Sequence, residues 1–190
     1  LLCEKMGIDY LEAYKLAKIG SHPALSLPML GGINTQEPYF ILEDAENLNL
    51  KLRISTIARE TNEETIKHAV NLTRDALRNC GKTLRRARIS LLGISQTSNM
   101  KNSPKEAVRE FSKMLEARGA KVGIYDPYLS SDEVPEIQHA YKKSLTEALE
   151  GVDCIIILTE HDQFKHLNLK KLKVMMKTPA AIVDFEGVLE

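Results

Sequence analysis

A chain of 190 residues supports one domain of ordinary size, or a domain of about 100 residues with an appendage. Its 26 basic and 26 acidic residues balance, so no overall field recruits nucleic acid or an anionic membrane. The longest wholly apolar run is five residues, Cys154 to Leu158, against the roughly 20 that span a bilayer. The three cysteines, Cys3, Cys80 and Cys154, form neither an even disulfide set nor a Cys-x-x-Cys pair. Together these features predict a soluble, cytoplasmic protein with reduced, buried thiols, no metal site, and neither a nucleic-acid nor a membrane partner.

In chain order, Leu1 to Tyr10 lacks an initiator Met and reads as the tail of a helix stopped by Gly7, as expected of a fragment. Asp9 is placed to cap a helix from Tyr10 to Lys18. Gly20 to Gln36 reads as a loop, and a helix is expected to restart at Pro38, with proline in its favoured first position. From Thr61 to Cys80, Ile66, Ala69, Val70, Thr73, Leu77 and Cys80 recur at helical spacing. Thr61 and Glu64 have the spacing of a capping box, and Gly81 supplies a stop. The apolar face of this connecting helix predicts packing on another domain or a homodimer through residues 61–80.

From Arg88 the period changes. Ile-Ser-Leu-Leu-Gly, a helix opened at Ser103-Pro104-Lys105-Glu106 and closed at Gly119, then Lys-Val-Gly-Ile-Tyr make one strand-helix-strand unit. A helix opening at Ser144, the Cys154 to Leu158 strand, a short helix around Asn168 to Met176 and the strand ending at Asp184 complete a βαβαβαβ order. Residues 88–184 are therefore predicted to form a doubly wound parallel sheet covered on both faces, an α/β fold behind a helical N-terminal segment.

Ligands of such sheets bind beyond the carboxyl ends of the strands, which singles out loops 93–102, 126–129, 159–164 and 184–187. The first runs into a helix N-terminus with Lys101 nearby, an arrangement that suits a simple cap by Ser103 first and a phosphate second. Gly93 is followed by no second glycine before the helix, so the Gly-x-Gly-x-x-Gly dinucleotide fingerprint is absent. His161 and His166 lack the spacing of a helical metal pair and read as a polar surface segment. Glu160 and His161 suit acid-base work or a helix cap. Lys82, Arg85, Arg86 and Arg88 read as a solvated face or domain contact.

The ordered strings Cys-Glu-Lys-Met-Gly-Ile-Asp, the double glycine before Glu-Pro-Tyr-Phe-Ile-Leu, Thr-Asn-Glu-Glu-Thr, Gly-Ala-Lys-Val-Gly-Ile-Tyr-Asp-Pro-Tyr and Gly-Val-Asp-Cys-Ile-Ile-Ile-Leu-Thr-Glu-His run nearly the whole chain. In this order they resemble the nucleotide-sugar 6-dehydrogenases, the UDP-glucose and UDP-N-acetylmannosamine dehydrogenase family, from the central helical region through the C-terminal UDP-binding domain. The resemblance implies a central helical region at 1–82 and a Rossmann-like UDP-sugar-binding domain at 83–190. It implies that the parent protein oxidises a UDP-hexose C6 alcohol toward the uronate with NAD, held mainly by an N-terminal domain outside this chain, and that the fragment alone does not turn over. Gly31, Gly32, Tyr39 and Ser103 fall at substrate-binding positions, Lys101 at a cofactor-binding one, and Glu37 at the carboxylate that assists water activation. As the first charge of the following helix, Glu37 has an equally good structural role. Asn34 stands where the family carries its catalytic cysteine, and an amide forms no thioester. Glu186 stands where the family commonly has an arginine. These departures leave a second reading open, a non-catalytic sugar-nucleotide-binding and dimerisation homologue.

Overall fold

The computed structural model describes residues 2–19 and 37–189. Helices α1 (Leu2–Met6), α2 (Tyr10–Ile19), α3 (Glu37–Asn47) and α4 (Arg53–Asn79) precede strand β1 (Arg88–Leu92). Then follow α5 (Glu106–Ala117), β2 (Lys121–Tyr125), two short 3-10 turns at Ser131–Glu133 and Pro135–Ala140, α6 (Leu145–Leu149) and β3 (Cys154–Ile157). Helices α7 (Asp162–Lys165) and α8 (Leu169–Met175) lead to β4 (Ala181–Asp184).

The 27 residues of α4 extend roughly 40 Å, starting a full two turns before the expected Thr61. Thr61 is no cap: its hydroxyl donates back to the Ile57 carbonyl at 2.8 Å, within a helix that is already running. The other end is as expected. Gly81, at φ +69, lets its amide reach the Arg78 carbonyl at 2.9 Å and that of Lys82 reach Leu77, also at 2.9 Å, the two bonds of a Schellman stop. Ahead of that stop lie Ile66, Ala69, Val70, Thr73 and Leu77, all buried.

Four parallel strands lie in the order β2-β1-β3-β4. Their side chains alternate between two cores. Ile89, Leu91, Ile124, Cys154 and Ile156 pack beneath α5 and α4, with Val108, Phe111, Leu115, Ala69 and Leu77. Leu92, Tyr125, Ile155 and Ile157 face the opposite side, where Leu149, Phe164, Leu172 and Met176 cover them. Helix α5 thus crosses over one face and α6 and α8 over the other, and the predicted doubly wound α/β sheet is observed. The second half of α4 fills the first face beside α5, against β3 and β4.

That packing corrects the expected dimer surface, because the apolar stripe of residues 61–80 is consumed within the chain. Lys82 likewise is not a solvated charge. Its ammonium donates to Asp153 at 2.6 Å and to the Lys177 carbonyl, while the other oxygen of Asp153 accepts the Arg88 amide at 2.8 Å, fastening the end of α4 to the sheet. Unburied apolar surface lies instead on α3, on the turn after it and on the start of α4, at Phe40, Ile41, Leu48, Leu50, Ile54 and Ile57. A groove of about 580 Å³ between α3 and α4 is lined by Tyr39, Leu42, Leu50, Leu52, Ile57 and Arg59 among others. Among the described residues no helix is long and apolar enough to cross a membrane.

Candidate functional site at the strand ends

The order β2-β1-β3 makes the carboxyl ends of β1 and β3 the point where crossovers part to opposite faces. There the chain ends come unusually close. Gly93 sits at φ +75, and a Cβ on it would lie 2.8 Å from the Thr159 carbonyl oxygen, so only glycine fits. The Thr159 hydroxyl bonds the Gly93 and Ser95 carbonyls at 3.1 and 2.8 Å. This glycine lets the ends of β1 and β3 close on each other.

Beyond Gly93 the chain makes a closed excursion. Ser95 bridges Pro104, the Lys105 amide bonds the Ile94 carbonyl at 2.7 Å, and the Gln96 amide bonds both the Asn102 side chain at 3.0 Å and the Ser103 carbonyl at 3.2 Å. Ser103 is therefore not the cap of α5. The cap position falls to Lys105, with no side-chain hydrogen bond, because the bridge to Ser95 holds Ser103 and Pro104 away from the first turn.

The centre of the site is Asp126, at the end of β2. One carboxylate oxygen accepts the amides of Ile94 at 2.8 Å and Ser95 at 2.9 Å, and the other accepts the Tyr128 amide at 2.8 Å. His161 adds its Nε2 at 3.2 Å. Burial pushes the carboxyl up, but these donors overcome it and hold the group down to about 2. His161 corrects the reading of a polar surface segment: it is fully buried, its ring against Tyr128 and Phe164. It occupies the cap position of α7 without a side-chain cap bond, while Glu160 is paired with Lys165 at 2.6 Å.

A second buried pair lies alongside. Lys105, 4% exposed, donates to the Leu158 carbonyl at 2.5 Å and faces Glu186 at 3.4 Å. Burial lowers the lysine and raises the glutamate from their ordinary values, each partly offset by the other. The anion at residue 186 is thus matched by a cation from the start of α5.

Of the sequence candidates, Lys101 and Ser103 share the β1–α5 loop, Lys101 paired with Glu133 at 3.1 Å. Tyr39 belongs to the α3–α4 groove, its hydroxyl donating to Glu63 at 2.6 Å and its ring beneath Arg59 at 4.9 Å. Gly31, Gly32 and Asn34 lie outside the described residues, as does the side chain of Glu37. The structure adds Lys105 and Asp126 to His161 as the organising side chains. Their signals in sequence were an Asp-Pro directly after a strand and a lysine leading an otherwise apolar helix face. None of the cysteines is placed as a nucleophile here, and burial pushes the Cys154 thiol up to about 12.

The unit does not fit a dinucleotide. Its one glycine at the strand end is spent on Thr159, and the Ser95–Pro104 bridge folds the loop over the region where a pyrophosphate would meet the helix.

A parallel sheet with its polar cluster at the strand ends is the frame of a nucleotide-binding α/β domain. Residues 92–190 match the profile of the UDP-glucose/GDP-mannose dehydrogenase family, UDP binding domain. The chain is 30% identical over 196 residues to a UDP-N-acetyl-D-mannosamine dehydrogenase of Methanococcus maripaludis, covering 100% of this chain and 43% of that one. It is 26% identical over 200 residues to a UDP-glucose 6-dehydrogenase of Rickettsia conorii, covering 100% and 45%. The solved UDP-D-ManNAc dehydrogenase of Pyrococcus horikoshii superposes with a TM-score of 0.79 at 23% identity, over 100% of this chain and 43% of that one, and shares its fold. The chain belongs to the UDP-glucose/GDP-mannose dehydrogenase family, and it spans less than half the length of these relatives.

Proposed function

We propose that this chain is the nucleotide-holding part of an NAD-dependent UDP-sugar 6-dehydrogenase, with a UDP-sugar seated on the loops beyond β1, β2 and β3. The observation that carries this reading is the match of residues 92–190 to a UDP-binding domain whose strand ends carry an ordered polar loop. Lys101, exposed on the β1–α5 loop beside Glu133, offers a cation to a diphosphate lying over that loop. In the whole protein, NAD would bind outside this α/β unit, and the Gly31–Gly32 turn, Tyr39 and Glu37 would approach the sugar. A partner copy would dock on the exposed apolar face of α3 and the start of α4.

Asn34 at the family's cysteine position favours a second reading, a sugar-nucleotide-binding homologue without the oxidation. Calorimetric titration of the chain with UDP, with GDP as control, tests the binding step common to both, and absence of UDP binding at millimolar concentration overturns it. NADH formation by the parent protein on UDP-sugars separates them: oxidation supports the dehydrogenase, and binding without oxidation supports the homologue.

A further inference from the structure

The hydrogen-bond partners of His161 define its tautomer. The Asn99 backbone amide lies 3.0 Å from Nδ1, and an amide N–H can only donate, so Nδ1 must be the unprotonated nitrogen. The ring hydrogen then sits on Nε2, shared between Asp126 at 3.2 Å and the Ser95 hydroxyl at 3.0 Å, whose own hydrogen is free to reach the Thr97 carbonyl at 3.3 Å. One arrangement of protons satisfies every group. It also excludes a Ser-His-Asp relay, because serine and aspartate meet the same nitrogen.

Asn99 is the other half of the contact. It holds φ +57, a conformation asparagine tolerates, and its side-chain oxygen accepts the Asp162 amide at 2.9 Å and the Tyr128 hydroxyl at 3.5 Å. Asn99 belongs to the loop after β1, Tyr128 to that after β2, and Asp162 opens α7 where the loop after β3 ends. All three loops that a ligand at the switch point would touch therefore meet at one side-chain pair.

We propose that His161 and Asn99 form a positioning clamp that fixes these three loops in one binding geometry, with His161 Nδ1 as its fixed acceptor. The clamp rests on the reading of this surface as the UDP site. Neither residue need touch the nucleotide. Ordering the loops before binding removes the conformational cost that the ligand would otherwise meet.

Two near-isosteric variants separate the two nitrogens. His161→Asn keeps an acceptor at the δ position and gives up the contact to Asp126, whereas His161→Gln keeps a donor at the ε position and gives up the acceptor. The expectation is that His161→Gln speeds amide hydrogen exchange across residues 96–102 and weakens UDP binding by about tenfold or more relative to His161→Asn, which keeps the acceptor for the Asn99 amide. Asn99→Gly, which suits the positive φ, should reproduce the glutamine phenotype by cutting the links to Tyr128 and Asp162. Nitrogen NMR of the wild-type ring should show the Nε2–H tautomer. Equal exchange and equal UDP affinity in both histidine variants, or an Nδ1–H tautomer, overturns the clamp. Should the wild-type chain bind no UDP, the reading of the site falls. Exchange at 96–102 then still decides the clamp, with faster exchange in His161→Gln than in His161→Asn supporting it and equal rates refuting it.

Discussion

Asp126 keeps its charge inside the molecule because three backbone amides and His161 point at it, and this is a stability statement as well as a geometric one. The folded carboxyl is depressed from 3.8 to about 2, so it contributes stability above about pH 4 that is lost as pH falls through about 2. The gap corresponds to roughly 2 kcal/mol. Urea unfolding between pH 5 and 2 should show this loss in the wild type and a flatter acid limb in Asp126→Asn. An unchanged acid limb in the variant would show that the carboxylate is not held as described. Lys105 and Glu186 behave differently, since burial moves both away from their charged forms and each depends on the other. Lys105→Met should cost about 3 kcal/mol by stranding the carboxylate, and adding Glu186→Gln should restore at least half of it. Additive losses in a denaturant double-mutant cycle would show the two side chains to be uncoupled.

Helix α4 carries a buried half that seals the sheet and an exposed half that does not, and their responses to truncation should differ accordingly. Leu77→Ala leaves a cavity between α4 and the strands and should lower unfolding free energy by about 3 kcal/mol, measured by urea titration. Ile57→Ala, exposed within the chain, should change it by less than about 0.5 kcal/mol in the same titration on dilute, monomeric protein, and similar losses for both would contradict the burial pattern. The buried half was legible in the sequence because Ile66, Ala69, Val70, Thr73 and Leu77 repeat at helical spacing and Gly81 ends the run. The exposed half was not, because Thr61 and Glu64 imitate a helix start and nothing local shows that Arg53 to Glu60 already supports one. The strands were readable from their apolar runs, and the switch point followed from the strand-helix order. His161 was not readable as a buried group. Glu-His-Asp-Gln looks solvated, and only the return of β3 beside β1 brings it to Asp126, 35 residues earlier. Ser103 failed as a cap for a similar reason: the Ser95–Pro104 bridge is set by the loop's closure and not by its composition.

At the scale of the whole molecule the apolar surface is divided unevenly. Both faces of the sheet are covered except at Ile182 on β4, 38% exposed, whereas Ile54 is 86% exposed, Phe40 62% and Ile57 61%, all on α3 and the start of α4. The charges there have a sense as well. Helix α3 bears Glu43, Asp44 and Glu46, while Lys51 and Arg53 lie on the turn and at the start of α4; Arg59 is already paired with Glu63 at 2.8 Å. A two-fold contact through this face would bury both sets of isoleucines, with the acids of α3 and the bases at Lys51 and Arg53 at hand to meet their opposites on the other copy. The double variant Ile54→Glu, Ile57→Glu would place four like charges into such a contact. Sedimentation equilibrium at about 100 µM, far above the Kd of a standard-size interface, should read a dimer for the wild type and a monomer for the variant. UDP affinity should be equal in the two, because neither isoleucine belongs to the loops after β1, β2 or β3. A wild-type monomer at that concentration removes the proposed partner, whereas a dimer that survives the double substitution moves the contact to another face.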